Sequence, residues 1–242
     1  MTINELGQPV GDPVLAWATR DRPGAEVLQG RYCILERLDP VRHAEDLFAS
    51  DQHDRRGESW TYLPYGPFPD FASYRQWLER VAAGDDPRFY GIVDADPVGE
   101  VAEVGRAVGV LSLMRIDPEA GSIEVGHVHY SPLLQRRRAA TEAQYLLMRY
   151  VFDDLGYRRY EWKCDALNTP SRTAAERLGF TYEGTFRQSG VIKGRNRDTA
   201  WYSLLDVEWS PLSDRLPTWL APENFDDDGR QKTPLRPSGP PR

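Results

Sequence analysis

Cysteine is nearly missing from this chain: Cys33 and Cys164 are the only two among 242 residues. They lie far apart and match neither a C-x-x-C nor a zinc-ligand spacing, which argues against a disulfide scaffold, a redox dithiol or a metal centre. Long apolar runs are missing too, and none approaches the roughly 18 residues of a membrane span. Positive charge is in deficit: 30 Lys and Arg against 37 Asp and Glu leave a formal charge of −7. The chain as a whole therefore offers no nucleic-acid footprint, and any attraction for an anion must be local. The first residues, M-T-I-N-E-L-G-Q-P-V-G-D, have no basic n-region and no apolar h-region, so a cytoplasmic protein is expected. No internal repeat is visible. What the chain does have is 40% hydrophobic and 11% aromatic residues, enough to fill a sizeable core.

Residues 1–25 are rich in Gly, Pro and polar groups and read as an extended arm. The stretch 26–38 reads as a strand or a bent pair of strands. Asp39 followed by Pro40 is a helix start, and Asp70 with Gly84 brackets a second helix. Between them lies the aromatic loop W-T-Y-L-P-Y-G-P-F. The period then changes, and R-F-Y-G-I-V-D, R-A-V-G-V-L-S-L-M-R-I and G-S-I-E-V-G-H-V-H-Y read as an antiparallel meander. A helix with Ala140, Ala143, Leu147, Val151 and Leu155 on one stripe follows, then a strand over R-R-Y-E-W-K-C-D and a helix stopped by Gly179. T-Y-E-G-T-F-R and W-Y-S-L-L-D-V-E-W close the series as antiparallel partners. Strand, helix and strand across 122–164 form a right-handed crossover, so the two strands should run parallel or splay from a shared point. From Pro211 the proline-rich sequence reads as a disordered or surface-draped tail. The expected organisation is an arm over 1–25, one mixed α/β (α+β) domain over 26–210 and a tail over 211–242.

Arg136, Arg137 and Arg138 sit where the helix after the meander begins. A helix start carries partial positive charge, and a cation there costs roughly 0.3–1 kcal/mol. Either the arginines lie on a solvated face or an anion belongs beside them.

The element order and four stretches resemble the GNAT (acyl-CoA N-acyltransferase) superfamily, in particular its ribosomal-protein N-terminal acetyltransferase branch, the RimJ/RimL type. I-E-V-G-H-V-H-Y-S-P resembles the fourth strand with its E-[IV]-G signature. L-Q-R-R-R-A-A-T-E-A resembles the pyrophosphate loop Q/R-x-x-G-x-G/A. C-D-A-L-N-T-P-S-R-T-A-A-E-R-L-G-F resembles N-x-x-S with its L-G-F helix end, and Y-E-G-T-F-R with G-R-N-R-D-T-A-W-Y-S resembles the closing strands. The resemblance implies a mostly antiparallel twisted sheet flanked by helices. It also implies acetyl-CoA as cosubstrate, no metal, and a primary amine as acceptor, on a protein N-terminus or a small molecule. Its cofactor contacts would be Val128, His129, Tyr130, Gln135, Arg136, Arg137, Arg138, Ala139, Ala140 and Thr141, with Asn168 and Ser171. Arg138 stands where the family usually has glycine.

Acyl transfer to an amine needs a base, an oxyanion site and an acid for the leaving thiolate. Glu124, mid-strand between Ile123 and Val125, is the candidate base, and the same residue matches the E-[IV]-G signature. The resemblance makes Ser171 the acid or thiolate-binding hydroxyl and Asn168 its partner; both also suit a helix cap. By the same resemblance the acceptor pocket would draw on Trp60, Tyr62, Tyr65 and Phe68, and on Asp198 and Tyr202 at its border. His127 and His129 face away from Glu124 under strict alternation, unless a bulge resets the strand. His127 is assigned to the acceptor groove. Two other readings stay open: an acyl-CoA-binding module without catalysis, and an anion-binding interaction protein. The acceptor's identity and the oligomeric state, a homodimer included, are also open.

Overall fold

Local signals place most of the elements. In the computed structural model, which describes residues 2–98 and 104–235, helix α1 spans Pro40–Asp51 and α2 spans Phe71–Ala82. The Asp39 carboxylate accepts from the Val41 amide and Asp70 from Ser73, the caps their sequence positions demand. Two short arm strands, β1 (Thr2–Ile3) and β2 (Pro9–Val10), pair with each other. Strands β3 (Val27–Gln29), β4 (Cys33–Arg37), β5 (Arg88–Asp94), β6 (Ala107–Asp117) and β7 (Ser122–Tyr130) then form a continuous antiparallel run. Helix α3 (Arg138–Arg149) follows and loosens to a π-type turn over Tyr150–Asp154. β8 (Arg159–Asp165), α4 (Thr169–Leu178), β9 (Thr181–Ile192), β10 (Arg195–Leu205) and α5 (Asp206–Leu220) complete the chain. Gly179 takes the left-handed conformation that ends α4, with φ +98°.

The large sheet runs in the order β3-β4-β5-β6-β7-β8-β10-β9, and β7 with β8 is its parallel pair. Its two faces carry separate cores. Val125, Leu111, Tyr160 and Trp162 pack against Ala143, Leu147 and Val151 of the α3 segment, while Phe89, Val93 and Val110 pack against α1, α2 and the aromatic loop through Leu47, Trp60 and Trp77.

The two ends depart from expectation. Residues 206–209, read as strand, begin α5. The expected tail is folded as far as the structure describes it: Leu212, Leu216, Trp219, Leu220, Phe225 and Leu235 are buried in the α3-side core. Pro211 and Pro217 lie inside α5, and its apolar residues at 209, 212, 216 and 219 keep a helical stripe despite them. Residues 236–242 of that tail lie outside the described residues. The arm is tied down as well. Trp17 Nε1 donates to the Glu119 carbonyl, and the Gly24 and Ala25 amides donate to the Tyr150 hydroxyl.

Candidate active site

β7 and β8 pair only from Ser122↔Arg159 to Val125↔Trp162. Beyond that point each continues on its outer partner, β7 along β6 to Tyr130 and β8 along β10 to Asp165. A gap therefore opens between them, and the inner edge of β7 from Gly126 to Tyr130 has no strand beside it. At its mouth β7 carries a bulge: Val110 faces His129 and Ser112 faces Gly126, so His127 and Val128 together oppose Leu111. His127 absorbs the irregularity at φ +50°.

That bulge resets the faces, as the alternative reading of the strand required. His127 stacks on Tyr65, whose hydroxyl lies 2.8 Å from Nδ1, and His129 stacks on Trp60 at 3.6 Å between ring centroids. Both histidines thus join Glu124 on the α1/α2 side, since Glu124 lies opposite Met114 in register. Burial depresses both imidazoles, to about 4 for His127 and about 3 for His129. Neither is charged near neutral pH. Burial also pushes the Asp51 carboxyl up to about 8. The 3.7 Å approach of His129 Nδ1 to Asp51 is therefore a contact between a neutral ring and a protonated acid, although its geometry would pass for an ion pair.

Glu124 is 3% exposed. Ile123 and Val125 point to the opposite face, so its own surroundings are cationic rather than apolar, contrary to the reading from its sequence neighbours. Arg115 Nη1 donates to Glu124 Oε2 at 2.6 Å, and Lys163 Nζ lies 2.7 Å from the same oxygen. Lys163 also bridges to Glu161 at 2.7 Å and sits 3.8 Å over the Trp201 ring. None of these partners was singled out from the sequence. The alternation R-x-E-x-K across β8 was the available signal.

On the opposite face a cleft of about 1240 Å³ opens between the start of α3, α4 and the segment from Trp219 to Gln231. Tyr130, Gln135 to Arg138, Ala140 and Thr141 line it, as does Asp96. Ala139 is fully buried behind them, and Val128 packs on the core. The amides of Arg138 and Ala139 find no acceptor among the described residues, as the first turn of a helix dictates. The left-handed residue of the loop is Arg136, at φ +63°, not Arg138, which is ordinary helix. So the family's glycine position needs no special backbone here.

The three arginines have different fates. Arg138 makes a two-pronged pair with Asp96, at 2.8 and 2.7 Å, and its guanidinium lies 4.0 Å from the Tyr32 ring centre. Arg137 donates to Asp94 at 2.6 Å and to the Asp96 and Val98 carbonyls. Arg136 is exposed and has no carboxylate partner among the described residues. The guanidinium charge of Arg137 and Arg138, expected to serve an anion, is thus met by Asp94 and Asp96.

The remaining candidates separate. Asn168 Oδ1 accepts from the Ser171 amide and caps α4, and Ser171 Oγ accepts from Trp162 Nε1 at 3.0 Å, beside the gap. Tyr62 donates to the Leu167 carbonyl and ties the aromatic loop to the β8–α4 turn. Trp60 and Phe68 serve the α1/α2 core, with Trp60 only 3% exposed. Asp198 accepts from the Gln188 amide at 2.7 Å and from Asn196, a bond pattern internal to the β9–β10 hairpin. Tyr202, expected at the acceptor border, is fully buried on the α4 face, bonded to Arg172 and Glu176. Its position in β10 alternates it away from the acceptor side. Both cysteines are buried free thiols, and burial raises their pKa values. Among the described residues no cluster of His, Cys, Asp and Glu could hold a metal, and no helix is long and apolar enough to cross a membrane.

Comparison with known proteins gives one consistent result. Residues 34–181 match the family described as an acetyltransferase (GNAT) domain. The solved structure of a GCN5-related N-acetyltransferase from Brucella melitensis is 47% identical, with a TM-score of 0.87 over 92% of this chain and 97% of that one. Bacillus subtilis (strain 168) YdaF, whose name gives it provisionally as a ribosomal N-acetyltransferase, is 27% identical over 73% of this chain and 91% of its own length. RimL, a ribosomal L7/L12 alpha-N-protein acetyltransferase, shares the fold at 20% identity and a TM-score of 0.60, over 74% of this chain and 94% of its own.

Proposed function

This chain belongs to the GNAT acetyltransferase family and is an acyl-CoA-dependent acetyltransferase, and from that premise we propose that it transfers acetyl directly to the amine of a protein N-terminus. The observation that carries the proposal is the gap that opens between β7 and β8 just past Glu124, with an anion-ready cleft on one face of the sheet and the buried Glu124 on the other. The cleft fits the cosubstrate on its own chemistry: among the described residues the amides of Arg138 and Ala139 have no acceptor, Arg136 has no carboxylate partner, and the β7 edge has no strand beside it. Bound there, acetyl-CoA would supply an activated thioester carbonyl.

The chain's own residues would then divide the work. The α3 amides and Arg136 hold phosphate. The free edge of β7 from Gly126 to Tyr130 offers amides to the pantetheine arm and to the oxyanion. Glu124 takes a proton from the acceptor ammonium, directly or through water, so that the neutral amine attacks the thioester carbonyl, and the Ser171 hydroxyl supports the departing thiolate. An α-amine suits this base, because its reference pKa of about 7.7–8.0 lies well below the roughly 10.4 of a lysine side chain. The names of YdaF and RimL favour a ribosomal-protein N-terminus, which would place the protein in the cytoplasm. The acetyltransferase unit then extends through residue 235, because the α5 segment completes the cleft.

Thiol release from acetyl-CoA tests this reading. A peptide bearing a free α-amine is expected to drive steady turnover, and the same peptide with its amine blocked is expected to be inert. A thermal shift with coenzyme A but no turnover on any amine would instead mark a binding module. Stabilisation by sulfate but not by coenzyme A would mark an anion-binding protein.

A further inference from the structure

Arginines supply the cationic lining of the cleft among its described residues: Arg136, Arg137, Arg138, Arg177 and Arg230. Asp94, Asp96 and Asp228 pair three of them, Arg137, Arg138 and Arg230. Arg136 and Arg177 have no carboxylate partner among the described residues. They come from different elements of the cleft wall. Arg136 precedes α3, whereas Arg177 is in the last turn of α4, half-buried, with Nη1 donating to Thr141 Oγ1 at 3.1 Å and its guanidinium 4.9 Å from the Trp219 ring centre.

A guanidinium withdrawn from water without a counter-charge costs free energy that an arriving anion recovers, and its planar fork matches phosphate. Burial without a carboxylate partner holds the Arg177 pKa below the ordinary arginine value. Two hydrogen-bonding and stacking contacts fix the side chain in advance, so little order remains to be imposed on binding. Trp219, and the Phe225 to Gln231 wall beyond it, lie past residue 181, where the family match ends. This end of the cleft therefore belongs to the chain's own C-terminal segment.

Coenzyme A carries phosphate at two places, the diphosphate bridge and the ribose 3′ position. Ser171 opens α4 beside the gap, and Arg177 lies six residues on, about 9 Å along the helix axis. Resting on the acetyl-CoA reading above, we propose that Arg177, braced by Thr141 and Trp219, binds the 3′-phosphate, while Arg136 and the α3 amides serve the diphosphate. The chain then discriminates coenzyme A from 3′-dephospho-coenzyme A.

Calorimetric titration of the full chain with each of the two ligands tests the assignment. Wild type should bind coenzyme A about tenfold or more tightly than the dephospho form, as a charge-assisted phosphate contact implies. Arg177→Gln should remove that preference and leave the dephospho affinity within about twofold, because the lost contact is to phosphate alone. Arg177→Lys should keep part of the preference, since an ammonium still attracts phosphate but cannot grip it with a fork. Equal loss of both affinities in Arg177→Gln, or an unchanged preference, overturns the proposal. If that variant does not fold, the preferences of wild type and Arg177→Lys decide it, and equal preference in the two overturns it. Wild type binding both ligands equally overturns this assignment alone. Wild type binding neither removes the acetyl-CoA reading and this one with it.

Discussion

Replacing Glu124 by glutamine is expected to lower kcat about 10²- to 10⁴-fold, the usual range for loss of a positioned general base. Glutamine keeps an oxygen that Arg115 and Lys163 can donate to, and Lys163 retains Glu161, so the fold should survive. The affinity for coenzyme A should not change, because the cleft lies on the opposite face of the sheet. The deficit should also depend on pH in a definite direction. Below the amine's pKa of about 7.7–8.0 most acceptor is ammonium and needs the base; above it, most is already neutral. The gap between wild type and variant should therefore narrow as pH rises. A kcat within threefold of wild type, or a deficit that widens with pH, would remove Glu124 from the role.

Arg138→Ala should act on stability instead. It leaves Asp96, 2% exposed, without the two-pronged partner that neutralises it. Breaking a buried pair from one side costs about 3–5 kcal/mol, and the loss here should lie at or below the low end of that range, because Arg137 stays 3.6 Å from Asp96. The Tyr32 and Phe225 rings also lose the guanidinium between them. Urea unfolding should show the loss, and Asp96→Ala combined with Arg138→Ala should restore much of it. Arg136→Ala, on an exposed side chain, should leave stability within about 0.5 kcal/mol. A loss below about 1 kcal/mol in Arg138→Ala would mean that the pair contributes little. Arg137→Ala and Arg138→Ala together would therefore report on folding before they report on phosphate.

These two variants also separate what was readable in the chain from what was not. Helix ends were readable because a cap is local: Asp39 with Pro40, Asp70, Asn168 with Pro170, and Gly179 each act within a turn. The meander and the splayed crossover followed from period and connection alone. The fate of the arginine triplet was not readable, because Asp94 and Asp96 lie some forty residues upstream and reach it only through the sheet. Glu124 is buried, but the neighbours that matter to it come from β6 and β8, not from its own strand. Composition misled at the C-terminal end. Prolines at 211 and 217 suggested disorder, while Trp209, Leu212, Leu216 and Trp219 already traced a helical stripe. That stripe carries the wall of the cleft and the ring beneath Arg177, so the misread segment shapes one end of the cleft.

The central claim is that the cosubstrate's phosphates meet the start of α3 and its arm enters the gap beside β7. Hydrogen exchange read by mass spectrometry, with and without coenzyme A, tests it most directly. Slower exchange is predicted in segments 126–130 and 135–141, which hold the β7 edge with no strand beside it and the amides of Arg138 and Ala139, without an acceptor among the described residues. Saturating ligand with unchanged exchange in both segments, or protection confined to other parts of the molecule, would contradict it.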